Sequence, residues 1–242
     1  MANSAASNRS VRILPWLMLG IGVLIGFSGI IDQILTYWED IVYLTRQHVI
    51  LVLASGSAAI LIGVPVGIWL SRPSMAGVAE TIMQVFNIGT TIPTLAVIAL
   101  SMTLLGIGFA PAFFGLFVAS LLPIVRNTYA GLLAVPAHLK EAAHGMGMKP
   151  AQILFRIELP NALYVIFSGI RTALAINVGT TPLAFLIGGG GLGELIFTGI
   201  DLMDTGMLLA GAIPTAGLAV LVDFLVGQAQ LWLIPKGVNP LR

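Results

Sequence analysis

Glu141 to Pro160 reads EAAHGMGMKPAQILFRIELP, the longest polar interval in a strongly apolar chain. With Lys140 it carries Glu141, His144, Lys149, Arg156 and Glu158, in a protein of which only 9% is charged. Apolar runs flank it on both sides. A charged insert between membrane spans lies in water, and a basic one lies on the cytoplasmic side. Pro136 precedes a short helical run from Ala137 to about Ala143, in which Glu141 and Ala142 are good helix formers. Gly145 and Gly147 interrupt it, since glycine permits a sharp turn. Pro150 suits the first turn of a second helix, and Gln152 to Ile157 continue it with an amphipathic face. Pro160 is expected to break or bend the chain before the next apolar span. Two small helices joined at a glycine make a compact protrusion that a partner can grip. From composition alone, a plain solvated loop is the simpler reading.

The class follows from the bulk of the chain. Its 242 residues are 57% hydrophobic, with a mean hydropathy of +1.00. A soluble domain carries charge on roughly a quarter of its residues. The apolar runs are continuous rather than alternating, which selects membrane helices over a barrel. The expected fold is therefore an all-α integral membrane protein. Cysteine is absent, so thiol and disulfide chemistry are excluded. The three histidines, His48, His138 and His144, have no metal-ligand spacing. No GxxxxGK[ST] sequence is present to cradle ATP. Gly188, Gly190 and Gly193 form a formal G-x-G-x-x-G, but it follows a membrane span and no strand precedes it. It reads instead as a flexible or tightly turned outer loop, beside the acidic residues Glu194, Asp201 and Asp204. No catalytic constellation stands out. No enzyme activity, cofactor or nucleic-acid partner is expected.

Six spans are predicted. Ile13 to Ile31 is the first, after a cytoplasmic tail of residues 1–12. A signal peptide is the alternative, but ~19 apolar residues are enough to cross, and no small-x-small cleavage site follows at a fitting place. An outer linker through residue 45 contains Tyr37, Trp38, Glu39 and Asp40, an interfacial pattern. The core, residues 46–235, holds Val49–Leu70, an irregular crossing from Met75 to Leu105, then Phe109–Val125, Leu163–Ile187 and Gly206–Leu233. A short tail, residues 236–242, follows. Gly56, Gly63 and Gly67 let neighbouring helices approach the second span. Arg9, Arg12, Arg72, Arg126, Lys140, Lys149, Arg156, Lys236 and Arg242 then fall on one side, which the positive-inside rule makes cytoplasmic, with both termini. Counting Met75–Gly89 as a separate span would put residues 141–160 outside. Trp16, Trp38, Trp69 and Trp232 fall near span ends, as interface anchors do.

The spacing of the polar interval is specific. Glu141-Ala142-Ala143, then three residues and Gly147, then nine more and Ile157-x-Leu159-Pro160, resembles the EAA loop of permease subunits from binding-protein-dependent ABC importers. Thr91-Ile92-Pro93-Thr94-Leu95-Ala96 is similar to the third-span sequence of osmoprotectant importer permeases. Gly169-Ile170-Arg171-Thr172-Ala173, the run Ile187 to Gly193, and Ile196-Phe197-x-Gly199-Ile200 fit the same subgroup. The similarity covers about residues 46–235.

The resemblance implies a MetI-like bundle of about six helices, with a cytoplasmic coupling loop at 137–160. It implies an ATPase subunit docked on that loop, through Glu141, Ala142, Ala143, Gly145, Gly147 and Pro160. It also implies a second permease subunit, identical or homologous, and an extracytoplasmic binding protein, in a bacterial or archaeal cytoplasmic membrane. The implied cargo is a quaternary-amine osmoprotectant such as glycine betaine, choline or carnitine. The rival readings are the same architecture importing an amino acid such as methionine, and an ATP-independent carrier. No dense aromatic cluster is evident in the spans for cation–π recognition of a quaternary ammonium, which points selectivity toward the binding protein.

Two sets of polar residues lie within the apolar spans. Asn87, Thr90, Thr91, Pro93 and Thr94 are expected to line the translocation path, with Asn177, Thr180 and Thr181 as a second set that hydrogen bonding between helices explains equally well. Arg171 lies ten residues after Asn161, and Asp223 eleven before Ile234. At ~1.5 Å per residue, both are ~15 Å from the cytoplasmic ends of antiparallel helices. A lone charge at that depth needs a partner, so the two are expected to pair. Backbone carbonyls or a water-filled cavity are the alternatives.

Overall fold

The computed structural model describes residues 18, 20–23, 29–235 and 237–238. The expected N-terminal tail, most of the C-terminal one, Trp16 and most of the expected first span lie outside these residues. The described part is helical, and each helix starts or stops for a local reason. Helix α1 is Ile30–Leu35. Helix α2, Trp38–Leu70, has 33 residues and is about 50 Å long, well beyond the ~30 Å of a bilayer core. The sequence placed its start at Val49. The helix begins eleven residues earlier because Glu39 and Asp40 occupy its first turn, where acidic groups favour the N-terminal dipole. Ile41 and Leu44 then bury against Leu192, Leu195 and Ala210.

Helices α3, Ala76–Gly89, and α4, Thr94–Leu105, are the arms of the irregular crossing, and they meet at 98°. The hydroxyls of Thr90 and Thr91 turn back onto the carbonyls of Asn87 and Ile88, each at 2.7 Å. Pro93 then offers no amide to carry the helix on. Helix α5, Phe109–Leu133, is the central post. It packs against α2, α4 and the later α8. A Cβ on Gly67 of α2 would lie 2.5 Å from Thr128 Cβ of α5, so only glycine permits that approach.

Helices α6, Ala137–Gly145, and α7, Pro150–Ile153, form the polar protrusion. The chain then stays helical through a π-helical turn, Leu154–Glu158, into α8, Leu159–Thr180, and a 3₁₀ segment, Thr181–Ile187. Pro160 therefore does not break the chain, as the sequence suggested. It sits in the first turn of α8, where its missing amide follows a wide turn, and the Asn161 side-chain amide donates to the Ile157 carbonyl at 2.7 Å. Helices α9, Gly193–Asp201, and α10, Thr205–Leu233, complete the bundle.

Among the described residues, four helical stretches are long and apolar enough to cross a membrane, and a fifth if the bent pair is one span. The sixth expected span is the one that falls mainly outside the described residues. Phe109, Phe113 and Phe117 of α5 stack in a ladder, with centroids 6.3 and 6.1 Å apart. The spans thus carry an aromatic row that the expectation of no cluster did not include, although its rings face one another rather than enclose a space.

On the side opposite the protrusion, Asp204 caps α10. Its Oδ1 accepts the Met207 amide at 2.9 Å, and its Oδ2 accepts the Tyr37 hydroxyl at 2.6 Å. The Tyr37 bond, followed by the cap bond, holds the Asp204 carboxyl below its usual range, while Asp204 pushes the Tyr37 hydroxyl up. A depressed carboxyl contributes stability above its ordinary value, and loses it as pH falls through the depressed one. Acidification below about pH 4 should therefore loosen this corner, seen as faster amide exchange at the start of α10. Asp204→Asn keeps a good cap without the charge. It should lower the thermal midpoint less than Asp204→Ala does, and should abolish the acid dependence. An unchanged acid profile in Asp204→Asn would count against this account.

Candidate functional site: the coupling segment and the polar bundle

The protrusion is held by its own backbone. Helix α6 ends where Gly147 takes a left-handed conformation, φ 75°. The Gly147 amide donates to the His144 carbonyl at 2.9 Å, and the Met148 amide to Ala143 at 3.1 Å. That pair of bonds is a Schellman motif, which satisfies the last carbonyls of the helix. The Lys149 amide then donates to Gln152 Oε1 at 2.8 Å, closing the start of α7 ahead of Pro150. Within this frame Ala143 is fully buried, whereas Glu141, Ala142, Gly145 and Gly147 are exposed. Pro160, half-buried, belongs to the foot of α8 rather than to the tip.

Two large apolar side chains also stand out on this polar protrusion. Met146 is 72% exposed and Phe155 67%. Sequence reasoning gave them no role, and the signal was only their presence among charges. Among the described residues, one salt bridge ties the protrusion to the bundle. Arg72, just past the end of α2, reaches Glu158 at 2.6 Å, and its remaining donors bond Ser71 Oγ and the Ile68 carbonyl. Glu158 is largely buried, so this pair is fixed rather than loosely solvated. A cleft of about 550 Å³ opens beside it, lined by Arg72, Glu80, Tyr129, Lys140, His144 and Glu158 among others.

The residues expected along a path separate into two environments. Thr90 and Thr94 line a cavity of about 260 Å³ at the α3–α4 break, with Pro123 of α5 and Ile176 of α8. Asn87, Thr91 and Pro93 are exposed beside it. Asn177 and Thr181 are instead closed inside the bundle. The Asn177 amide donates to Ser55 Oγ of α2 at 2.9 Å and Ser120 Oγ of α5 at 2.7 Å. The Thr181 hydroxyl donates to the Asn177 carbonyl at 2.8 Å, and that of Thr180 to the Ile176 carbonyl at 2.8 Å. The second set thus joins three helices, and its neighbour Ile176 is the residue that meets the cavity. Arg171 and Asp223 face each other, Nε to Oδ1 and the guanidinium's second arm to Oδ2.

Comparison with known proteins supplies the context. Residues 63–235 match the family model described as binding-protein-dependent transport system inner membrane component. The osmoprotectant import permease protein OsmY of Salmonella typhimurium is 57% identical over 82% of this chain and 84% of its own length. The choline transport system permease protein OpuBB of Bacillus subtilis is 39% identical over 88% of this chain and 97% of its own. Among solved structures, an inward-facing form of the MetNI methionine ABC transporter contains a chain that superposes with a TM-score of 0.70. That chain is 25% identical, over 82% of this one and 95% of its own length.

The Schellman turn generates a direct test. A β-branched residue at a left-handed position costs roughly 1–2 kcal/mol. Gly147→Val has free space around its side chain, so only the backbone conformation should suffer. The amides of Gly147 and Met148 should lose exchange protection, while membrane yield stays unchanged. Retained protection at both amides would contradict the assignment.

Proposed function

This chain belongs to the family of binding-protein-dependent transport system inner membrane components, and from that premise we propose that it is one of a pair of membrane subunits in an ATP-driven importer of quaternary-amine osmoprotectants. The observation that carries the reading is the protrusion. Glu141, Met146 and Phe155 are exposed on a backbone-locked turn, and Arg72–Glu158 roots that turn in two spans. Exposed apolar side chains rimmed by polar ones mark a docking surface. An ATPase subunit that grips α6 and α7 would move α8 directly, because the helix is continuous from Pro150 to Ile187. The salt bridge would carry the same displacement to α2. The spans then exchange between inward- and outward-facing arrangements, a population shift set by the nucleotide state of the partner. This reading puts the protrusion and both termini in the cytoplasm, in keeping with the distribution of Lys and Arg. The transport systems named for the sequence relatives favour osmoprotectants over the methionine carried by the structural neighbour.

Co-expression with its ATPase and binding protein should give ATP-dependent uptake of glycine betaine, carnitine or choline into inside-closed membranes. Glu141→Lys should reduce that uptake at least about tenfold by placing a like or misfitted charge in the docking surface. ATPase co-purification should fall in parallel while the spans still insert. Normal uptake by Glu141→Lys would remove the loop from the docking role.

Asn87 to Thr94 lies on the path in this reading. The chain has no cysteine, so Thr91→Cys offers a single label site. It should react with a water-soluble thiol reagent, and substrate turnover should change the rate. Inertness in every nucleotide state would take the α3–α4 break off the path.

A further inference from the structure

The Arg171–Asp223 pair is in an unusual place. Its side chains are 44% and 40% exposed, yet Arg171 stands about 18 Å along α8 from Leu159, and Asp223 about 15 Å along α10 from Leu233. Charges at such depth avoid lipid and face protein or water. The surroundings on α8 favour water. Ser168, Arg171, Thr172, Ile176 and Gly179 are all exposed, and steps of three and four residues put them on one helix face. Ile176 on that face also borders the cavity with Thr90 and Thr94. The pair and the cavity thus edge the same exposed stretch of α8 from opposite sides, about 140° apart around the helix, with Arg171 about one and a half turns nearer the protrusion. Helix α10 leaves room for it at Gly227, whose Cβ position is 3.8 Å from the guanidinium.

We infer that Arg171 and Asp223 form a charge filter on a water-filled passage, one that admits zwitterions in preference to simple cations. The inference rests on the importer reading above and narrows its substrate class. A molecule with both a carboxylate and an ammonium can exchange with the pair group for group. Its carboxylate takes the two guanidinium donors, its ammonium takes the place of the guanidinium at Asp223, and no charge is left unpaired. A cation satisfies Asp223 only by leaving Arg171 without its partner, and an anion does the reverse. Breaking a partly desolvated pair from one side is the costly change. Betaines and carnitine should thus cross more readily than choline.

The test has two arms on the full importer. In the first, saturating glycine betaine and choline are compared as initial uptake rates. Asp223→Asn leaves a lone cation and should raise the betaine-to-choline ratio. Arg171→Gln leaves a lone anion and should lower it. The two ratios should differ by at least about tenfold. A purely structural pair would depress both substrates alike in both variants, and equal ratios overturn the filter. The swapped pair, Arg171→Asp with Asp223→Arg, restores folded yield if either single variant fails to insert. In that case the ratios are read from Arg171→Lys and Asp223→Glu, which keep the pair but alter its geometry, and an unmoved ratio again overturns the filter. In the second arm, Thr172→Cys is labelled with cationic and anionic thiol reagents of equal size, a readout independent of any substrate. Asp223→Asn should favour the anionic reagent and Arg171→Gln the cationic one. No labelling in any nucleotide state shows a dry wall and overturns the inference. If the importer carries neither compound yet the reagents discriminate as stated, the osmoprotectant reading falls and the charge filter stands.

Discussion

Inside a bilayer, every backbone amide and carbonyl must find its partner within the protein, and the fold turns on how this chain meets that demand at its prolines. The clearest case joins α2 to the end of α8. In an α-helix the Val178 carbonyl would accept from residue 182, which is Pro182 and has no amide. His48 of α2 fills the vacancy, with its Nε2 3.2 Å from that oxygen. Since a carbonyl only accepts, His48 is fixed as the Nε2–H tautomer. Its Nδ1 is left as a bare, buried acceptor. One residue earlier, Gln47 Oε1 accepts the Gly191 amide at 3.0 Å and anchors the glycine run that leads into α9. In the residue before Val178, the Asn177 side chain links α8 to both α2 and α5. These contacts make α2, α5 and α8 a single unit.

In the proposed reading, that unit lets a displacement of the protrusion act at a distance. Interhelical bonds in membranes are individually modest, about 0.6 kcal/mol on average by double-mutant cycles. Their value here is positional, since they fix the last turn of α8 relative to two neighbours. A π-helical turn admits Pro160 without ending the helix, so α7 of the protrusion and α8 are one rod. The bent α3–α4 pair is joined to this unit chiefly through α5. Its corner, Thr90 to Pro93, relies on side-chain and turn bonds where a helix would use its own ladder. It is the natural place for the bundle to change shape while the rods on either side stay intact.

The reading of residues 141–160 needed only spacing. Gly147 lies where the backbone requires a left-handed residue, and Ala143 where a side chain is fully buried, so their identities carried structural information. The start of α2 was hidden because Glu39, Asp40 and Arg46 resemble an interfacial loop. Only tertiary packing of Ile41 and Leu44 shows that the helix already runs there. Pro160 misled for a related reason. Proline more often ends a helix than continues it, and nothing in a sequence announces the π-helical turn that precedes this one. Depth arithmetic put Arg171 and Asp223 at one level, and the structure has them in contact. Which way that contact faces depends on the helix rotation that α2 and α5 impose on α8. The same rotation puts Asn177 inside and Ile176 at the cavity, a difference of one residue that polarity alone does not resolve.

The two ends of the molecule meet opposite requirements, and this orders the parts. At the end away from the protrusion, the Tyr37–Asp204 bond, the Gln47 anchor and the buried His48 close the loops onto the bundle. At the protrusion, the charged cleft, Met146 and Phe155 are left open on a stiff, rooted turn. A partner acting at the open end meets helices that are already locked together at the closed one. Force applied there is spent on tilting whole helices rather than on melting their ends. A bundle built this way changes access to its interior only where the ladder is already interrupted, and the α3–α4 corner lies against α5 and α8 at that level. The exposed face of α8, from Ser168 to Gly179, borders that corner through Ile176.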